Sequence, residues 1–241
     1  MSRFNTFRIS IEEYYRANKR DLPWRKEVPV PYEVWLSEII LQQTRVAQGT
    51  PYFHKILQAF PSIESLAHAD EDTLLGLWTG LGYYNRARNL QKGAKQIRTD
   101  FNGQLPEQYD ELLKIKGIGP YTAAAIASIC FKEKIGVVDG NVYRVLSRYF
   151  GISTPTNSTS GQREFQTLAN ECIQGTEHPG MYNQGIMEFG ALQCTPKNPN
   201  CVYCPLSNSC HAYNSGAVTE LPVKLKKGKR TKETLHFGVV Q

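Results

Sequence analysis

The sequence predicts an all-α protein, and three observations carry that reading. Apolar residues recur three or four positions apart through eleven segments, Gly, Pro or polar residues punctuate the gaps, and strand-like alternation is scarce. With 241 residues, 41% of them hydrophobic, 11% aromatic and 21% charged, the chain can bury one large core or two modest ones, and two lobes is the default. This composition excludes wholesale disorder, collagen and coiled coil. No apolar run approaches ~20 residues, so no membrane-spanning helix is expected. Met1-Ser2-Arg3-Phe4-Asn5 opens no secretory signal pattern. A cytoplasmic, nucleoid-associated location without disulfides is the expectation.

In chain order, helices are predicted over 5–18, 32–47, 50–59, 62–68, 71–78, 84–100, 107–115, 121–131, 139–149, 161–174 and 180–192. Pro51 and Pro61 suit early helical positions, where a missing N–H costs little. Gly117 and Gly119 sit poorly inside a helix and mark a tight turn between the seventh and eighth segments. Ala123, Ala124, Ala125 and Ala127 suit close helix packing, and Cys130 and Cys172 read as small core residues. From 194 to 213 the pattern breaks into a Cys-, Pro- and Asn-rich loop that a bound ion or cluster would order. Residues 235–240 form a possible strand with nothing nearby to pair with, as expected where another domain would begin.

The charge is local. Lys plus Arg is 28 against 22 for Asp plus Glu, a net +6, but Lys224, Lys226, Lys227, Lys229, Arg230 and Lys232 supply that whole excess within nine residues. The rest of the chain is neutral on balance, so only local clustering can argue for nucleic acid. The basic run itself reads as a solvated linker.

Four cysteines, Cys194, Cys201, Cys204 and Cys210, follow C-x6-C-x2-C-x5-C. In a reducing compartment this spacing points to zinc or an iron-sulfur cluster, because both take four soft anionic ligands. Only Cys201 and Cys204 form a short knuckle, which favours a 4Fe-4S cluster. The turn Gly117-Ile118-Gly119 followed by a helix is the makings of a helix-hairpin-helix module: bare glycines admit a close partner, and free N–H groups at a helix start suit a phosphate. An ordinary turn between packed helices has the same sequence.

Two carboxylates are ambiguous. Glu38 lies in the apolar run Val34–Leu41, so it is either on an exposed helix edge or held against apolar surface, where its pKa rises enough to carry a proton near neutrality. Asp139 precedes a helical pattern and has N-cap as its default role. The segment 80–88 sets Tyr83 and Tyr84 beside Arg86 and Arg88 at a Gly turn, a combination suited to wedging between bases and holding phosphates, or equally to a core Tyr and solvated Arg.

Several motifs occur in order: Leu22-Pro23-Trp24-Arg25, the run Trp35–Thr44 with Leu41, Gln42 and Gln43, Leu77–Tyr84, the hairpin at 117–119, Val138-Asp139-Gly140-Asn141-Val142, and the four-Cys loop. With them the chain resembles the adenine DNA glycosylase (MutY) family, catalytic part, within the helix-hairpin-helix and endonuclease III superfamily, over about residues 8–213. At Tyr121, members that also cut the backbone carry a Schiff-base lysine; a phenol forms no imine, so strand cleavage is expected to be weak or absent. Two departures stand out: Lys116 where the family commonly has Pro, and a loop from Arg25 to Glu38 one residue longer than usual.

The resemblance implies two helical lobes with a DNA cleft between them. One is a six-helix barrel over 29–135 carrying the hairpin at 110–131; the other is an iron-sulfur helical domain built from 1–28 and 136–213, followed by a basic linker, 214–241, toward an absent C-terminal domain that helps read 8-oxoguanine. It implies extrusion and excision of adenine opposite 8-oxoguanine or guanine in double-stranded DNA by a monomer. Glu38 is then the general acid, and Asp139 stabilises the oxocarbenium-like sugar. Tyr121 and Asn141 position the sugar and its water. Trp24, Arg25, Gln184 and Leu41 meet the base, Gln43 and Tyr83 wedge into the stack, and Gly117, Gly119, Arg86 and Arg88 hold phosphates. Cys194, Cys201, Cys204 and Cys210 hold a 4Fe-4S cluster with a structural, DNA-facing role. A T-G mismatch thymine glycosylase, a bifunctional lyase and a non-catalytic iron-sulfur DNA-binding module are the competing readings.

Overall fold

The computed structural model describes residues 2–226, and all of the regular structure among them is helical. The helices are α1 (Arg3–Asn18), α2 (Pro31–Leu41), α3 (Val46–Ala59), α4 (Ile63–Ala67), α5 (Glu71–Trp78), α6 (Asn85–Asp100), α7 (Tyr109–Leu112), α8 (Pro120–Phe131), α9 (Gly140–Phe150), α10 (Thr159–Ile173), α11 (Pro179–Leu192) and α12 (His211–Asn214). Their starts are written locally. Ser2, Ser62, Asp70, Asp139 and Ser158 each accept a hydrogen bond from a backbone N–H in the first turn, and Pro31, Pro120 and Pro179 occupy first helical positions. The possible strand at 235–240 and most of the basic run lie outside the described residues.

Two predicted helices end early. The segment 32–47 stops at Leu41, because Gln43 adopts a left-handed φ of 57° and Thr44 N–H bonds back to the Leu41 carbonyl. Apolar spacing runs through this break, so periodicity alone misses it. The segment 107–115 holds only the one-turn α7, followed by turns that lead to the hairpin.

Two hydrophobic cores form. The first gathers Trp35, Ile40, Phe53, Ile56, Trp78, Leu90 and Ile97 from α2 to α6; the second gathers Phe7, Ile11, Val145, Tyr149, Phe165, Tyr182 and Phe189 from α1 and α9 to α11. Helix α8 is the shared wall. Ala123, Ile126 and Ala127 face the first core, while Ala124 and Ala125 face the second. A helix apolar all round is what burial on both sides demands. Small side chains allow the approach: a Cβ on Gly180 of α11 would lie 2.6 Å from the α8 backbone at Ile129. The chain passes through the second core with α1, enters the first at Leu22 and Trp24, and returns after α8. A cleft therefore opens where α2, α8, the start of α9 and α11 meet.

Candidate active site

The cleft holds a cavity of about 400 Å³, within the roughly 300–1,000 Å³ of small-molecule sites. It is lined by nine of the residues singled out in the sequence: Trp24, Arg25, Glu38, Leu41, Gln43, Tyr121, Asp139, Asn141 and Gln184. Glu38 comes from α2, Tyr121 from the first turn of α8, and Asp139 caps α9, so the site is assembled across both cores.

The ambiguity over Glu38 resolves toward the buried reading. Glu38 is half-buried on an otherwise buried helix, lines the cavity, and burial pushes its pKa up to about 7. The Tyr121 hydroxyl opposes that rise by hydrogen bonding and the Asp139 charge adds to it. Tyr121 O–H also lies 3.1 Å from Met187 Sδ, but a carboxylate is the stronger acceptor. Burial first, then the two carboxylates, raise the Tyr121 pKa well above 10, so it stays a neutral phenol.

Asp139 is both an N-cap and a cavity group. It too is raised by burial, but Val142 N–H donates to it at 2.7 Å and Asn141 Nδ2 at 2.8 Å, with the Arg144 charge in support. Asn141 is itself fixed, its Oδ1 accepting from Arg144 at 2.8 Å, while Arg144 also donates to the carbonyls of Gly190 and Cys194. Asp139 is thus the carboxyl better supplied with donors that favour a charged form, while burial pushes both groups up.

One wall of the cavity depends on Glu188, an acid of α11 that no motif marks. It is 1% exposed and accepts bidentate hydrogen bonds from both Arg20 (2.8 and 2.7 Å) and Arg25 (3.1 and 2.9 Å). Burial alone would raise its pKa, yet the two guanidinium groups hold it at about 2. Arg25 is thereby aligned along the cavity, over the ring of Tyr15. Tyr15 O–H donates to Gln184 Oε1 at 3.1 Å and Gln184 Nε2 donates to the Gly180 carbonyl at 3.3 Å, which leaves one amide N–H of Gln184 for a further acceptor. Trp24 is buried, edge-on to Phe53 at 5.2 Å.

Other predicted residues lie outside the cavity. Gly117 has φ +87° and packs on α6, where a Cβ would meet Asn89 at 2.9 Å, so it is glycine for internal reasons. Gly119 is extended, and a Cβ there would meet nothing within 4 Å, leaving its N-cap open to an outside partner. Gln96 clamps the hairpin entry, accepting from Lys116 N–H and donating to the Lys114 carbonyl; polar and mid-helix, it gave no signal in the sequence. Tyr83 is 67% exposed with a left-handed φ of 50°. The two arginines expected on phosphates are engaged otherwise. Arg88 pairs with Glu71 at 3.0 Å, and Arg86 turns inward to backbone carbonyls at the end of α2.

Cys194, Cys201, Cys204 and Cys210 line one apolar cavity between α9, α11 and the loop before α12. Among the described residues no three Cys, His, Asp or Glu side chains are grouped as a single metal ion requires. Burial, with the neighbouring thiols adding to it, pushes Cys204 up to about 11, so gathering four thiolates here needs a compensating cationic centre. Arg148 Nη1 lies 3.4 Å from Cys194 Sγ and 2.8 Å from the Thr195 carbonyl. An all-thiol donor set in an apolar cavity beside guanidinium groups suits an anionic iron-sulfur cluster.

The model of the HhH-GPD superfamily of base excision DNA repair proteins matches residues 36–170, more than half of the chain. The chain belongs to this superfamily. Two relatives named adenine DNA glycosylase, from Buchnera aphidicola subsp. Schizaphis graminum and from Homo sapiens, are 42% and 41% identical over 91% and 86% of the chain. The chain spans 62% of the first and 39% of the second. A solved thermostable thymine-DNA glycosylase superposes with a TM-score of 0.81 at 28% identity, over 88% of this chain and 97% of that one. An endonuclease III–DNA complex superposes at 0.71 with 22% identity, over 90% and 99%, and shows the shared HhH-GPD fold. The helical architecture expected from the sequence is that of this superfamily, and among the described residues no helix is long and apolar enough to cross a membrane.

Proposed function

We propose that this HhH-GPD protein is a monofunctional adenine DNA glycosylase, acting on adenine opposite 8-oxoguanine or guanine in duplex DNA. The observation that carries this is the carboxyl pair in one cavity, Glu38 with its pKa pushed up to about 7 by burial and Asp139 accepting N–H bonds from Val142 and Asn141. Extrusion of the mispaired adenine costs a few kcal/mol, less at a mismatch than in a paired duplex. Glu38 then gives its proton to a purine ring nitrogen, and the base departs neutral as the C1′–N bond breaks. Asp139 stabilises the oxocarbenium-like sugar or bonds to it briefly, and water completes the sugar hydroxyl while its proton returns to Glu38. Tyr121, a neutral phenol, and Asn141 orient the sugar and the water. Trp24, Arg25, Leu41 and Gln184 form the base pocket.

DNA is held by its backbone at the open N-terminus of α8, where Gly119 leaves room for a phosphate. Gln43 and Tyr83, exposed residues with left-handed backbone, supply the wedge into the stack. The domains proposed are a barrel over 29–135 and a cluster domain from 1–28 and 136–213, although Leu22 and Trp24 pack with the first core and Ala124 and Ala125 with the second. Cys194, Cys201, Cys204 and Cys210, which line one apolar cavity, would ligate a 4Fe-4S cluster. Its contribution is to hold the loop in shape, since hydrolysis moves no electron. The protein works as a monomer in the cytoplasm, on the nucleoid.

The test is base release from three duplexes, with A opposite 8-oxoguanine, A opposite guanine, and T opposite guanine. Release of adenine from the first two supports the proposal. Release of thymine alone would replace it with the thymine-excising reading that the 0.81 superposition favours, and binding without release from any would leave a non-catalytic DNA module.

A further inference from the structure

Arg86 is the most heavily engaged side chain outside the cavity, and the chemistry derived above leaves it without a role. Its Nη1 donates to the carbonyls of Ile39 (3.2 Å), Ile40 (2.9 Å) and Gln42, and to Thr44 Oγ1 (3.3 Å); its Nη2 donates to the carbonyls of Leu81 and Gly82, each at 3.3 Å. Four partners therefore belong to the end of α2 and the loop after it, and two to the glycine turn before α6. The guanidinium carbon lies 5.4 Å from the ring centre of Trp78 and 5.6 Å from that of Tyr83. Among the described residues no carboxylate pairs with it.

The carbonyls of Ile39, Ile40 and Gln42 lie at the end of α2, where a helix leaves carbonyls without donors and its dipole favours a cation. What distinguishes this cap is what hangs on it. The residue between Gln42 and Thr44 is Gln43, with φ 57°, and the residue after Gly82 is Tyr83, with φ 50°. Both are non-glycine, left-handed and exposed, a conformation that persists only where the surroundings enforce it. One side chain bonds to the carbonyl just before the first, to the hydroxyl of the residue just after it, and to the carbonyl immediately before the second.

We infer that Arg86 is a positioning residue that locks Gln43 and Tyr83 at one fixed separation, so that the two act as a single preformed wedge on DNA. The inference rests on the wedge role proposed above for the DNA step, but its structural half stands alone. Arg86 supplies no phosphate contact and touches no reacting atom. A lysine cannot replace it, because one ammonium cannot span two loops in a planar fork.

The test has two arms, each on Arg86→Met and Arg86→Lys. In the free protein, amide hydrogen exchange is expected to speed up on the order of tenfold or more in both 42–45 and 80–84 while the core of α8 keeps its protection. Unchanged exchange, or loosening of 80–84 alone, overturns the coupling whatever the enzyme acts on. On DNA, a duplex carrying 2-aminopurine opposite 8-oxoguanine reports extrusion as a rise in fluorescence. Both variants should bind within about threefold of wild type, keep the salt dependence of binding, and lose most of the rise. A salt slope lower by about one with normal extrusion would instead make Arg86 a phosphate contact. Combining Arg86→Met with Gln43→Ala and Tyr83→Ala should add little to the loss from those two alone, and full additivity would contradict action through them. If wild type itself neither extrudes nor excises adenine, the adenine reading fails while the exchange result still decides the role of Arg86.

Discussion

Glu38 and its neighbours set the chemistry residue by residue. A carboxyl raised from 4.5 to about 7 is neutral when the protein folds at pH 5 and ionised at pH 8. Its favourable contribution is thus fully present below pH about 4.5 and is lost as pH rises through about 7, a difference of at most about 3 kcal/mol. Glu38→Gln removes the penalty, so its midpoint of thermal unfolding should exceed that of wild type at pH 8 and approach it below pH about 4; an equal shift at both would mean that the ionisation of Glu38 is not coupled to folding. At the hairpin helix, Tyr121 predicts that borohydride traps no covalent protein–DNA adduct, and a trapped adduct would move the protein to the lyase class. Only part of this was legible in the sequence. The carboxylates could be named, but whether Glu38 faced bulk water or a cavity depended on Tyr121, 83 residues away, and Arg25 could not be aligned without Glu188, which only the α11 register brings to it.

The helices and their turns were mostly readable, because apolar period and capping residues are local signals. The breaks were not. The end of α2 at Leu41 is enforced by a left-handed Gln43 and by Arg86 from another helix, and a short-range pattern contains neither. The hairpin glycines separate by the same logic. Gly117→Ala should lower stability by about 1–2 kcal/mol, since φ +87° and a 2.9 Å approach to Asn89 both penalise a methyl group. Gly119→Ala, with open space around its Cβ, should leave the unfolding midpoint within a degree or two and weaken DNA binding instead. Thermal melts and mismatch-duplex titrations on the two variants check this, and a stability loss at Gly119 without a binding loss would remove the phosphate-gripping role.

Across the whole molecule, two cores share α8, and the cavity lies at their seam: Glu38 arrives on α2 from one side and Asp139 at the start of α9 from the other. The four-Cys loop closes the second core through Leu206, so Cys204→Ser should cost visible cluster absorption and soluble yield together, and full colour in that variant would remove Cys204 from the ligand set. Such juxtapositions are the part of the protein that no local signal in the chain carries. The most direct measurement is the single-turnover rate of adenine release from an A–8-oxoguanine duplex between about pH 5 and 9, for wild type and Glu38→Gln. Wild type should slow as pH rises through about 7, where Glu38 loses its proton, and Glu38→Gln should bind the duplex but fall by roughly 10²–10⁴ at every pH. A flat wild-type profile together with unimpaired release by Glu38→Gln would contradict proton donation from that carboxyl.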